Sequence, residues 1–149
     1  MDLQEISDRL EIQDLMNRYA QVVDFRDWER LGEVFAPDAT ADYTPTGGPS
    51  GPHRDVMAWL DRALAPWPVN LHAVTNLTID FDGAQGAASR CYFTAPMAAG
   101  PVGAQVALIN GGYYDDRLVR TEAGWRIAHR TCTTTAMVGS LPEGYQIPE

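Results

Sequence analysis

The sequence predicts an α+β fold, a cone in which a bent antiparallel sheet packs against three helices from the N-terminal half. Three observations predict it. Apolar residues recur every three to four positions as far as Pro66, and beyond it the chain changes to long β-rich runs separated by short turn signals. A glycine pair interrupts one of those runs, which weakens a flat strand and suits a bend. Helices followed by a meander of strands form the layer pattern in which helices cover one sheet face, and bending leaves a pocket beneath them.

The first helix is read from Leu3 to Val23, where Leu3, Ile6, Leu10, Ile12, Leu15, Met16, Tyr19, Val22 and Val23 form an apolar stripe. A second, shorter helix starts from Asp27 as N-cap, carries Trp28, Leu31, Val34 and Phe35, and is closed by Pro37. Ala39 to Tyr43 alternates as a short strand, and Thr44 to Gly51 is a loop rich in turn formers. The third helix begins near Pro52 and runs through Val56, Trp59, Leu60, Ala63 and Leu64 to Pro66. Four long strands follow, Leu71 to Phe81, Ala87 to Ala95, Ala104 to Val119 and Trp125 to Val138, with Asp82-Gly83 and Glu122-Ala123-Gly124 as turns. Gly111-Gly112 marks the expected bend in the third of them. No repeat or interdomain linker interrupts residues 1–149, so a single domain is expected.

Composition narrows the function classes. A net charge of −9 opposes phosphate backbones and anionic lipid surfaces, so neither nucleic acid nor membrane is an expected partner. No apolar run approaches the length that spans a bilayer, the first residues lack a signal-peptide pattern, and the cytoplasm is the expected location. Cys91 and Cys132 fall in separate strands without CxxC spacing or a nearby His cluster, which reads as reduced core thiols and no metal.

Candidate chemistry centres on His72, one of three histidines. Strict alternation puts it on the same strand face as Val74, Asn76, Thr78 and Asp80, opposite Leu71, Ala73, Thr75, Leu77, Ile79 and Phe81. That more polar face suits either solvent or a polar pocket. Asp24 ends the first helix, where the macrodipole disfavours a carboxylate and a compensating partner such as an imidazole is called for. Tyr19 and Asp24 lie about 140° apart around an ideal helix, so both reach one pocket only if the helix turns or frays. Tyr43 ends the short strand beside the Gly/Pro loop. For either tyrosine, core packing competes with a hydrogen-bonding role. His53 reads as solvated, His129 as inward or outward, and Asp80, Asp82, Asp115 and Asp116 as strand-end or exposed-ladder residues.

Several local sequences in order carry a resemblance: Ile12-Gln13-Asp14-Leu15 with Tyr19 and Asp24, Asp27-Trp28-Glu29-Arg30-Leu31, Phe35-Ala36-Pro37-Asp38-Ala39, Asp42-Tyr43, His72 with Asn76, and Gly124-Trp125-Arg126-Ile127. Together they resemble the SnoaL-like branch of the NTF2-like superfamily, in the style of its scytalone dehydratases, dehydrochlorinases and bile-acid 7α-dehydratases. The resemblance implies the cone fold, with Asp24 and His72 as a catalytic dyad and Tyr19 and Tyr43 as catalytic phenols. Substrate contacts are expected from His129, Asn76, Met97 and Trp59. Met97 stands where the scytalone dehydratases carry a second catalytic histidine, which departs from that specific dehydration.

The resulting expectation is a cofactor-independent lyase or isomerase. Neutral His72 would remove a proton from a small, largely apolar cyclic or polyketide-like substrate, with Asp24 holding the tautomer and the phenols facing developing negative charge. The alternative is a non-catalytic ligand-binding or assembly module, because this superfamily also contains such proteins. A homo-oligomer, dimer or trimer, fits both. The two readings separate on whether an Asp24 carboxylate lies within hydrogen-bond reach of His72 beside an open cavity.

Overall fold

A computed structural model describes residues 1–149. Helix α1 spans Leu3–Asp24 and begins at Asp2, whose carboxylate accepts the Glu5 backbone N–H at 2.8 Å. Its buried face is Ile12, Leu15, Met16, Tyr19, Val22 and Val23. Leu3, Ile6 and Leu10, read as part of that stripe, are exposed, because Leu10 lies about 200° around the helix from Ile12 and the buried face continues instead through position 8. Asp8 is buried there and pairs with Arg120.

The expected second helix is a six-residue 3-10 turn, Trp28–Glu33, without a side-chain cap from Asp27. Phe35 and Pro37, read as its end and its stop, belong to strand β1, Phe35–Asp42. Pro37 is tolerated because the pairing of β1 with its neighbour is interrupted between Phe35 and Thr40, where a ladder N–H is not needed. A 3-10 turn at Thr44–Thr46 and the short β2, Ser50–Pro52, lead into α2, His53–Leu64, which ends close to the expected point.

The remaining strands are β3, Val69–Asn70; β4, Ala73–Asp82; β5, Gly86–Ala99; β6, Val106–Thr121; and β7, Gly124–Gly139. The sheet runs β2-β1-β7-β6-β5-β3, with β4 also paired to β5. Most neighbours are antiparallel as expected, but β1 lies parallel to β7, so the curled sheet is mixed. The chain returns to β1 only after the meander is complete, and the last strand then runs in the same direction as β1.

Three irregularities bend the strands and change which residues face inward. In β4, Asn76 and Leu77 stand against the single residue Cys91 of β5, and Asn76 takes a left-handed φ of 54°. In β7 an extra Ala128 falls between Ile127 and His129, and an extra Thr135 faces the Gly111-Gly112 step. At Gly112 a Cβ would sit 1.9 Å from the Thr133 carbonyl oxygen, so only glycine lets the two strands approach there. The core fills the space between the helices and the concave sheet face, with Trp67, Trp125 and Tyr114 among its largest buried side chains. No helix is long and apolar enough to cross a membrane.

Candidate functional site

The concave face and α2 enclose a cavity of about 220 Å³, and seventeen of its twenty-two lining residues are hydrophobic, which suits an apolar guest. Tyr19, Tyr43, Trp59, Met97 and His72 line it. His72 occupies the break between β3 and β4. Asn70, His72 and Val74 turn inward, while Leu71 between the first two is exposed. The bulge at Asn76 then inverts the alternation, so Leu77, Ile79 and Phe81 also pack on the core. Strict period two forbids placing His72 and Leu77 on one face, and one extra residue permits it.

Asp24 stands behind His72 and outside the cavity wall. Its Oδ1 lies 2.6 Å from His72 Nδ1, and its Oδ2 accepts the His72 backbone N–H at 2.8 Å. These contacts answer the unfavourable placement of a carboxylate at a helix C-terminus. The chain turns sharply just after it. Arg26 has φ 56°, its N–H reaches the Val23 carbonyl and the Asp27 N–H reaches that of Val22, which is a Schellman closure at a non-glycine residue. The Arg26 guanidinium donates to the carbonyls of Val23, Leu64 and Trp67, fixing the ends of the two α-helices together. Tyr19 and Asp24 therefore need not share the pocket: Tyr19 and His72 line it, and Asp24 reaches it only through His72.

The second ring nitrogen of His72, Nε2, has no protein partner. In the neutral ring, with Nδ1–H donated to the Asp24 carboxylate, Nε2 carries the lone pair. Phe93 lies 6.1 Å from the imidazole, centroid to centroid, and stacks in turn on Tyr114 at 4.6 Å.

The two phenols are directly joined, Tyr19 Oη to Tyr43 Oη at 2.5 Å. One hydroxyl donates to the other, leaving one free proton for a ligand. Burial pushes both up, Tyr43 the further, so both remain protonated donors near neutrality. Behind them lies Arg130, buried and in contact with the ring faces of Tyr19 and Tyr114, each centroid 4.0 Å away. Asp116 accepts from Arg130 Nε at 2.7 Å and from Nη2 at 2.6 Å. Burial works against the guanidinium charge, but this carboxylate outweighs it and holds Arg130 well above its ordinary value.

Four residues depart from the sequence reading of them. His129 lies off the cavity, bonded to Thr40 and Thr131, because the extra Ala128 shifts β7 by one and sends Arg130 inward. Asn76 is exposed at its bulge. Asp116 is buried in the ion pair with Arg130 and is no exposed ladder residue. His53 is likewise buried, stacked on Phe35 at 4.9 Å with Nδ1 3.0 Å from the Ala39 carbonyl oxygen.

Other wall residues escaped sequence reasoning. Asn70 could have been found from its two-residue spacing to His72. Leu141, Tyr145 and Ile147 line the cavity from a C-terminal segment that has no periodic signal. That segment is anchored by Trp59 Nε1 donating to the Pro148 carbonyl at 2.8 Å and by Tyr145 Oη donating to that of Ala63 at 3.2 Å. Cys132 lines the cavity as a thiol, since burial pushes it up to about 12, and Cys91, on the other side of Tyr114 in the sheet, is pushed up to about 11. No three His, Cys, Asp or Glu side chains cluster as metal ligands would.

A helix-covered, curled sheet with a His-Asp pair at an apolar cavity defines an NTF2-like protein, and the chain belongs to the SnoaL-like domain family, whose model matches residues 4–131. Among its relatives is the uncharacterized protein Rv2910c of Mycobacterium tuberculosis, 38% identical over 133 residues, covering 89% of each chain. An NTF2-like protein with a cystatin-like fold from Novosphingobium aromaticivorans is 26% identical, with TM-score 0.69 over 89% of this chain and 84% of the other. Hexachlorocyclohexane dehydrochlorinase LinA-type3 from Novosphingobium barchaimii superposes over the whole of both chains with TM-score 0.74 at 18% identity, which shows a shared fold.

Proposed function

We propose that this chain is a lyase-like enzyme in which His72 abstracts a proton from carbon without an organic cofactor. The substrate is a small, largely apolar cyclic or polyketide-like molecule. The observation that carries the reading is the 2.6 Å contact between Asp24 and His72 Nδ1, with Nε2 unpartnered at an apolar cavity.

In the proposed step Nε2 takes the proton, and the electron pair of the broken C–H bond forms the new double bond. The leaving group departs with its own bonding pair beside the free phenol proton of the Tyr19-Tyr43 pair. Asp24 stabilises the imidazolium, which then returns its proton to the leaving group or to water. Where no leaving group is present, return of the proton to another carbon gives isomerisation. A dehydrochlorinase with the same fold supports elimination as the reaction type. The same reading takes the chain as a single-domain, cytoplasmic homo-oligomer.

The test is proton exchange and elimination on a panel of cyclic ketones, halides and alcohols in D₂O, followed by NMR. His72→Ala should lower the rate by about 10²- to 10⁴-fold with unchanged Tm. Wild-type rates in that variant would overturn the reading and leave a ligand-binding module.

A further inference from the structure

We propose that Asn70, aided by Asn110, forms a polar subsite that selects a neutral, oxygenated substrate over a plain hydrocarbon or halocarbon of the same shape. Asn70 is 3% exposed and lines the cavity, yet neither its Nδ2 nor its Oδ1 has a hydrogen-bond partner. Buried carboxamides are almost always paired, and this one offers two donors and an acceptor. Asn110 Oδ1 is also buried and unpartnered on the same cavity wall.

The register keeps the two amides on one surface. Asn70 pairs with Met97 of β5, and Ala95, two residues along that strand, pairs with Asn110 of β6. Met97 and Ala95 both line the cavity, so the amides flank β5 on its concave side. Asn70 also precedes His72 by two residues, and a two-residue step along an extended chain is roughly 6.6 Å. The subsite therefore lies about one ring's width from the base.

Its chemistry calls for a neutral group. A hydroxyl both accepts from an amide N–H and donates to an amide oxygen, and a carbonyl accepts. A carboxylate would find no free cation, because Arg130 is held by Asp116 beneath Tyr19 and is absent from the wall. The inference rests on this cavity being the substrate site, and it adds the substrate's polar end to the apolar body already proposed.

The experiment compares 2-naphthol with naphthalene by isothermal titration calorimetry on the full chain. Wild type should bind the naphthol about tenfold or more tightly than naphthalene, as one to two well-made buried hydrogen bonds imply. Asn70→Leu, which keeps the branching at the γ carbon but replaces the amide with somewhat larger methyl groups, should bring the two affinities within about threefold while naphthalene affinity holds or rises. Should that variant fail to fold, Asn110→Leu carries the same comparison with a smaller loss of preference. The inference is overturned if wild type does not bind the naphthol, if it binds both probes equally, or if the preference survives in the folded leucine variant. His72→Ala should retain the preference, so failure of the proton-abstraction reading and failure of this one are separate results.

Discussion

Asp24 holds His72 at two points, Oδ1 on the ring Nδ1 and Oδ2 on the backbone N–H of the same residue. Both the rotation of the imidazole and the position of its chain are set by one carboxylate. The grip predicts a specific failure in Asp24→Asn. The amide can satisfy the backbone N–H with its oxygen, which turns its NH₂ towards Nδ1 and forces the proton onto Nε2. Turnover should then fall by as much as about 10⁴-fold with the fold retained, as expected for a wrong tautomer. ¹⁵N NMR of the imidazole should show Nδ1–H in wild type and Nε2–H in the variant, independently of any substrate.

The hydroxyls of Tyr19 and Tyr43 share a hydrogen bond, so in the proposed mechanism they act as one donor. Tyr19→Phe and Tyr43→Phe should each lower turnover by about tenfold, and the double variant should lose clearly less than the product of the two. A coupling of roughly 0.5–3 kcal/mol in the double-mutant cycle is expected for a contacting pair. Strict additivity would show that the phenols work separately.

The left-handed turn at Asn76 allows both His72 and Leu77 to face inward. Asn76→Gly should be neutral or slightly stabilising. Asn76→Val should cost about 1–3 kcal/mol in urea unfolding, because a β-branched residue strains at that φ. The valine variant should also lose activity although residue 76 lies off the cavity, and unchanged stability in it would discount the bulge.

Burial holds the His53 imidazole below its ordinary value, against the pull of its hydrogen bond to Ala39. Between the depressed folded value and about 6.5 the unfolded chain binds more protons. The His53 contribution to stability is therefore complete above about pH 6.5 and is lost as pH falls through the folded value. His53→Asn, which can keep a bond to the Ala39 carbonyl, should remove this component, so unfolding free energies of the two proteins should converge as the pH is lowered. Parallel curves would place the histidine's titration elsewhere.

Much of this molecule was legible as pattern. The stripe from Ile12 to Val23, the turn residues between the strands and the Gly111-Gly112 step each carry their own local physics, and each lies where that physics puts it. The short 3-10 turn was not legible, because Trp28, Leu31, Val34 and Phe35 satisfy a helical period as well as they satisfy a turn feeding a strand. Length decides between those outcomes only once β1 has found β7 as a neighbour.

By itself the sequence determined the His72, Asp24, Tyr19 and Tyr43 set as candidates, the helical first half and the β-rich second half, and that Asp24 needed a partner. Only the tertiary structure decided which way His72, His129 and Arg130 face. One extra residue at Asn76 and another at Ala128 reverse the alternation of two strands. Whether a strand accommodates such a bulge depends on its curvature against neighbouring strands and on the core it must cover. That is a property of the closed cone rather than of any one segment, and it brings His72 onto Asp24 while sending His129 outward.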